Sequence, residues 1–209
     1  MLNYSKNQET CGKFREEILG EKIDGTIIDV ETIGEFCEGF GVERYKQVRP
    51  ITAGFLCDST LEILYMTGEA ASDFFRLKNA VETKLVRVKR PLYAFNAEFE
   101  MGVLRWFLGR SVKFDRDLML RTTTACGNQV WESKRMLVKC LGIPNFDDPF
   151  WDLGYKVPDS WQRYQATGDR KFLEDIVLHN RACLLKEHAI LNTRKRWREI
   201  QHDQMGDGS

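Results

Sequence analysis

The chain has no excess of charge of either sign, since 31 Lys and Arg residues balance 31 Asp and Glu residues over its 209 positions. A surface for nucleic acid would therefore have to come from local basic clusters and not from the overall charge. No apolar run approaches the length of a membrane span, and residues 1–10 lack the apolar core of a signal peptide. These absences predict an intracellular, cytoplasmic protein that does not bind membranes.

Closely spaced cysteines are missing as well. No two of the six form a Cys-x-x-Cys pair, which argues against a zinc ribbon and a dense disulfide scaffold. The six are Cys11, Cys37, Cys57, Cys126, Cys140 and Cys183, and we expect reduced, buried thiols.

A glycine-rich phosphate loop is also missing, because Gly39 and Gly41 have neither a strand before them nor a later glycine. A nucleotide-binding α/β protein is therefore discounted.

Strand and helix signals alternate along the chain. Its length and 43% hydrophobic content suit one domain over 1–209, with a core at about 25–190. Apolar runs predict strands at 26–30, 51–57, 61–66, 92–95 and 112–114. Helical spacing predicts helices at 69–84, 97–108, 133–141, 161–166 and 171–198, after a helical lead at 14–19, and 145–159 is predicted to be an ordered surface loop. We expect an α/β fold with a mixed five-stranded sheet flanked by helices, its first three strands antiparallel.

Two carboxylates, Asp29 and Glu31, follow the apolar part of the first predicted strand. Residues two apart on a strand project from the same face, so both carboxylates can share divalent ions. Acids in such triplets are most often solvated turn residues. A place at the end of a buried strand favours the metal-binding interpretation instead.

A second acidic segment follows the fourth predicted strand. Asn96 is placed to cap the next helix, and Glu100 lies one turn into it, facing the end of the sheet. Acids in the first turn also suit an ordinary surface helix, which is the alternative interpretation.

The third segment lies in the last predicted helix, where His179 and Cys183 are four residues apart on one face. Asp175 and Glu187 extend that face by one turn each way. A histidine here can position or deprotonate an attacking water. The alternative is a hydrogen-bonded core histidine beside a cysteine that acts as a small core residue.

Taken together, residues 28–32, 95–100 and 179–183 resemble, in order and spacing, the three motifs of the DEDD, ribonuclease-H-like 3′→5′ exonuclease superfamily. Including the stretch 164–169, the likeness is closest to its bacterial and archaeal ribonuclease H-like domain branch, and it covers roughly 25–190. The resemblance implies a ribonuclease-H-like fold and two-metal hydrolysis of single-stranded DNA or RNA with Mg²⁺ or Mn²⁺. It assigns metal binding and catalysis to Asp29, Glu31 and Glu100, and handling of the nucleophilic water to His179. It assigns substrate binding to Thr32, Asn96 and Asn180.

Two positions depart from the family pattern. Glu100 is a longer carboxylate than the family's Asp, and Cys183 stands where the family has its last Asp ligand. A thiol is a poor ligand for a hard ion such as Mg²⁺. Asp175 or Glu187 can compensate, the enzyme can work slowly or with a softer ion, or catalysis has been lost. The last case leaves a catalytically degenerate nucleic-acid-binding or assembly module.

Substrate-binding surfaces are predicted from basic and aromatic residues. The candidate phosphate-binding patches are Lys84, Arg87, Lys89 and Arg90, and Arg194, Lys195, Arg196 and Arg198. The candidates for stacking against bases are Trp151, Tyr155, Trp161 and Tyr164. Solvated basic faces and packed rings are the ordinary alternatives.

Overall fold

A computed structural model describes residues 11–123 and 129–206, with side chains at all of these except 121–123, 129, 131 and 197–206. The expectations for residues 1–10, for Cys126 and for the side chain of Arg198 lie outside what is described. Within the described ranges, no helix combines the length and apolar character needed to cross a membrane.

The centre of the fold is a mixed, open sheet of six strands. They are β1 (Gly12–Glu17), β2 (Ile23–Ile33), β3 (Arg49–Asp58), β4 (Thr60–Tyr65), β5 (Leu92–Ala94) and β6 (Arg116–Asp117). Their order is β1-β4-β3-β2-β5-β6, with β2, β3 and β4 antiparallel, and β5 and β6 parallel to β2. The α/β class and the antiparallel arrangement of the first three predicted strands are confirmed. The predicted strand count of five was one too low.

The extra strand is β1, and the helical lead predicted at 14–19 is wrong. Residues 12–17 alternate between half-buried and exposed positions, as one face of an edge strand requires. Pairing with the free edge of β4 outweighs the local helical pattern. The last strand is also displaced from 112–114 to Arg116–Asp117, because residues 93–94 of β5 pair with 116–117.

Within residues 11–123 and 129–206, five α-helices flank the sheet, at or near the five predicted positions. They are α1 (Ala71–Arg87), α2 (Ala97–Leu108), α3 (Lys134–Cys140), α4 (Val157–Thr167) and α5 (Arg170–Gly206). A small hairpin of β7 (Arg121–Thr123) and β8 (Gln129–Trp131) precedes α3 and was not predicted. The surface loop predicted at 145–159 ends earlier, because a 3-10 turn at Gly154–Lys156 leads into α4.

Close packing of α5 on the sheet brings the predicted motifs together. Gly54 of β3 pairs with Asp29 of β2, and a Cβ built on this glycine would lie 2.4 Å from Asn180 Oδ1 of α5. Only a residue without a side chain fits there. The helix therefore lies directly over β2 and β3, and its residues face the end of β2.

Candidate active site at the end of β2

An open cavity of about 570 Å³ lies beside the end of β2, below α2 and α5. Seven of the eight predicted site residues line it. They are Asp29, Glu31, Thr32, Asn96, Glu100, His179 and Cys183. The eighth, Asn180, is fully buried and donates from Nδ2 to Asp29 Oδ2 at 2.6 Å and to the Asp29 carbonyl at 3.2 Å. Asn180 therefore positions Asp29, and its contact with substrate stays a prediction.

One side of the cavity, the carboxylate half, consists of Asp29, Glu100 and Lys134, which line it, and of the fully buried Glu187, which does not line it but contacts Lys134. The Lys134 ammonium donates to Glu187 Oε1 at 2.6 Å and to Asp29 Oδ1 at 3.4 Å. It also lies 5.4 Å from the centre of the Phe95 ring, which favours a cation. Glu100 Oε2 and Glu187 Oε2 are buried and accept no hydrogen bond. Two buried carboxyl oxygen atoms in this half thus have no hydrogen-bond donor within the described part of the chain.

Burial controls the ionisation of these acids. It raises the pKa of Glu187 to about 8, with the charge of Lys134 opposing the rise and that of Asp29 adding to it. Burial also raises the pKa of Glu100 well above its usual range, and repulsion from Asp29 and Glu187 adds to this. Burial lowers the pKa of Lys134, but the negative charges around it outweigh burial and raise it well above its usual range. The lysine is therefore a permanent cation, whereas Glu100 and Glu187 hold protons more readily than exposed carboxyl groups do.

The other side, the histidine half, consists of Glu31, His179 and Cys183. His179 Nε2 lies 3.5 Å from Glu31 Oε1 and 3.9 Å from Cys183 Sγ, and one ligand atom from each residue lies within 4.8 Å of the others. Burial raises the pKa of Glu31 well above its usual range despite the opposing charge of His179. These three atoms can surround one ion.

Asp148 supports this histidine from behind. Its Oδ1 accepts a 2.8 Å hydrogen bond from His179 Nδ1, which leaves Nε2 free to face Glu31 and Cys183. Burial lowers the pKa of His179, but the Glu31 and Asp148 carboxylates outweigh burial and raise it. Burial raises the pKa of Asp148, but the hydrogen bond from His179 and that from Lys186 outweigh burial and hold it well below its usual range.

Sequence reasoning missed both Asp148 and Lys186. The fully buried Lys186 ammonium lies 2.7 Å from Asp148 Oδ2 and 2.7 Å from Asp152 Oδ1. Lys186 is two helical turns after His179, so helical spacing alone could have placed it on the same face. Asp148 lies in a loop in which Asp147 and Asp152 have left-handed backbones, and no spacing rule marks such a loop.

The two acids suggested to compensate for Cys183 have different places. Glu187 belongs to the carboxylate half and contacts Lys134. Asp175 instead forms an ion pair with Lys171 at 3.0 Å and does not line the cavity. Neither acid lines the cavity, and of the two only Glu187 contacts a residue that does.

The donor atoms fit metal ions differently in the two halves. The carboxylate half offers oxygen atoms, which suit Mg²⁺ or Mn²⁺. The histidine half offers oxygen, nitrogen and sulfur, a set that suits Zn²⁺ or another borderline ion better than Mg²⁺. Burial raises the pKa of Cys183 well above its usual range, with the charge of Lys134 opposing the rise, so the thiol is protonated until an ion binds.

The two predicted basic patches are largely neutralised by acids. In the first patch, the pairs are Lys84 with Glu62, Lys89 with Asp58, and Arg90 with Asp115. In the second, Arg194 pairs with Glu132 and Arg196 with Glu21. These pairs support the solvated-face alternative over a phosphate-binding surface.

Of the four aromatic candidates for stacking, two are held by hydrogen bonds within the fold and two are exposed. Trp161 is buried and donates to Glu69, and the Tyr164 hydroxyl donates to the Thr67 carbonyl. Trp151 and Tyr155 are 64% and 72% exposed, and Tyr155 lines the cavity. Only these two rings can offer a face to a base.

Comparison with protein families, with curated proteins and with solved structures finds no match for this chain. Its function is therefore argued from the geometry of the cavity.

Proposed function

We propose that the protein is a metal-dependent 3′→5′ exonuclease that hydrolyses single-stranded nucleic acid at this cavity, on a ribonuclease-H-like fold. The observation that carries the proposal is the convergence of four buried carboxyl groups, all of which except that of Glu187 line an open cavity. They are Asp29, Glu31, Glu100 and Glu187. Burial disfavours the ionised form of Glu31, Glu100 and Glu187. Among the described residues only Lys134 contacts two of the four acids directly. Divalent ions would bind the ionised carboxylates and offset the cost of ionising them in a buried place, so the cluster is built as a cation site.

The motif residues have distinct roles in the proposed reaction. A divalent ion bound by Asp29 and Glu31 would lower the pKa of water and neutralise charge on the phosphate. His179 holds or accepts a proton at Nε2, since its Nδ1–H is committed to Asp148. Asn180 keeps Asp29 oriented through the 2.6 Å hydrogen bond. The chain thus supplies the ion ligands, a proton acceptor and their support.

The mouth of the cavity suits an unpaired strand. Tyr155 lines it and Trp151 lies four residues earlier, so both exposed rings can stack on bases. Thr32 and Asn96 line the same cavity and can hydrogen-bond to the sugar or phosphate of the last nucleotide.

The test is to incubate the protein with end-labelled single-stranded DNA and RNA in Mg²⁺ or Mn²⁺. We expect shortening from the 3′ end, and about a thousandfold slower reaction for Asp29→Asn, as for loss of a major electrostatic group at a reacting centre. Asp24→Asn is the matched control, because Asp24 is exposed on the same strand. Equal rates for parent and Asp29→Asn would contradict the proposal.

The second candidate is a nucleic-acid-binding or assembly module that has lost catalysis. Cys183 at the position of the expected last ligand favours it, because a protonated thiol does not bind Mg²⁺. Binding of single-stranded DNA or RNA without cleavage by the parent, combined with cleavage by Cys183→Asp, would support this candidate and not the first.

A further inference from the structure

Lys134 occupies the place in the carboxylate half where a cation is most stabilised. Its ammonium contacts Asp29 and Glu187 directly, and Glu100 lies close enough for its charge to be affected by the lysine. The Phe95 ring adds a further cation-favouring contact at 5.4 Å. An oxygen-lined position of this kind is where a hard divalent ion would otherwise be expected.

The lysine is held in that position by its surroundings. It is the first residue of α3, and its side chain is only 18% exposed. It lies between β2, which supplies Asp29, and α5, which supplies Glu187. To admit a divalent ion among these acids, the ammonium would have to leave two ionic contacts. An ion that bound beside it would be repelled.

The histidine half contains no ammonium of its own, although the Lys134 charge acts on Glu31 and Cys183 from the other half. Among the described residues, no lysine or arginine forms an ion pair with Glu31, and His179 presents Nε2 to it at 3.5 Å. The three potential ligand atoms of this half lie within 4.8 Å of one another. The buried Lys186 of α5 is committed to Asp148 and Asp152. One half of the cavity thus holds a cation among its acids, and the other offers three ligand atoms to an ion.

We infer that the Lys134 ammonium takes the place of one of two divalent ions, so that the protein binds a single ion, at Glu31, His179 and Cys183. This inference rests on the proposed metal dependence of the same cavity. It replaces the two-ion site implied by the motif resemblance with one mobile ion and one tethered cation. His179 Nε2 then binds the ion in place of the proton-accepting role that the resemblance implies, because Nδ1 is committed to Asp148. The positive charge over Asp29 and Glu187 is then permanent and does not depend on metal concentration.

The experiment is to count bound Mn²⁺ by calorimetric titration and native mass spectrometry. We expect one ion per parent chain and two per Lys134→Met chain, because removal of the ammonium exposes the oxygen atoms of Asp29, Glu100 and Glu187. Lys139→Met, an exposed lysine on the same helix, is the matched control and should bind one ion. Two ions in the parent, with no change in Lys134→Met, would overturn the inference.

A second measurement needs no variant. Two Mn²⁺ ions about 3.5–4 Å apart, the spacing of two-metal sites, are magnetically coupled, whereas one ion gives the spectrum of an isolated centre. Paramagnetic resonance of the Mn²⁺-loaded parent should therefore show an isolated centre, and a coupled pair would overturn the inference.

The two proposals can fail separately. One bound ion without nuclease activity would contradict the proposed function and support this inference. Cleavage with two bound ions would support the proposed function and contradict this inference, and a parent that binds no ion would contradict both.

Discussion

The two halves of the cavity neutralise their acids in different ways. In the carboxylate half, Lys134 lies 2.6 Å from Glu187 and 3.4 Å from Asp29. In the histidine half, Glu31 faces His179 Nε2 at 3.5 Å, and the histidine itself is held by Asp148. The first half carries its own cation, whereas the second presents ligand atoms to an external one. A cluster of acids therefore does not by itself give the number of metal ions that it binds.

The same helix supplies both halves. Cys183 and Glu187 are one turn apart on α5, yet the thiol faces the histidine half and the carboxylate contacts the lysine. One turn of helix thus separates a soft donor from a hard one. Three changes would break or sharpen the comparison.

At a fixed pH, the largest effect on stability is expected from Asp148→Asn, which weakens the support of the histidine half. It leaves the fully buried Lys186 with one carboxylate instead of two, and the cost of breaking a buried ion pair is about 3 kcal/mol or more. Chemical denaturation should show this loss in the free energy of unfolding. Asp147→Asn, in the same loop but exposed, is the matched control and should change it little. Equal stability of the two variants would show that the Asp148 network contributes nothing.

The next effect is a dependence of the free energy of unfolding on pH, which comes from the carboxylate half. A carboxyl group whose pKa rises on folding stabilises the folded state below its unfolded pKa, and this stability is lost as pH rises through the folded pKa. For Glu187 the window runs from about 4.5 to about 8. Within it, the free energy of unfolding should fall by up to about 1.4 kcal/mol per pH unit for this group. The raised pKa of His179 also makes the free energy of unfolding fall as pH rises.

Denaturation of metal-free protein between pH 5 and pH 8 measures this dependence. We expect lower stability at pH 8, and a shallower slope in Glu187→Gln, which cannot titrate. Bound Mn²⁺ should also flatten the slope, because the ion favours deprotonated ligands. Stability that rises with pH in the metal-free protein would refute this assignment of the buried carboxyl groups.

The smallest effect is expected from Cys183→Asp, which turns the histidine half into a harder site. We expect Mg²⁺ affinity to rise about tenfold, equivalent to about 1.4 kcal/mol, while the preference for Zn²⁺ declines. Cys183→Ser, which gives neither a thiol nor a charge, is the control and should weaken Zn²⁺ without strengthening Mg²⁺. Unchanged Zn²⁺ affinity in both variants would show that the sulfur is not a ligand.

Most of the elements that form the fold could be predicted from local patterns. The hairpin of β3 and β4 and the helix α2 follow from short apolar runs and helical spacing, which act over a few residues. The edge strand β1 could not, because its conformation depends on pairing with β4, which lies far along the chain. The small hairpin before α3 was missed because its strands are only three residues long.

The residues of the site likewise divide into those that local patterns predict and those that depend on distant parts of the chain. Asp29, Glu31 and His179 were recognisable because the spacing along one strand or helix implies one face. Lys134 was not, since it meets Asp29 across 105 positions of the chain. Asp148 reaches His179 from a loop 31 residues earlier, and loops have no periodicity that marks a buried acid.

The sequence by itself determined which strand and helix faces carry acids, a histidine and a thiol, because side-chain direction within an element follows from its backbone geometry. Tertiary structure alone decided that Lys134 closes one half of the cavity and that Asp148 orients the histidine of the other. The physical reason is that burial and ion pairing depend on which elements pack together. The raised pKa values of the buried glutamates and the ion pairs of Lys134 exist only after β2, α2, α3 and α5 have met.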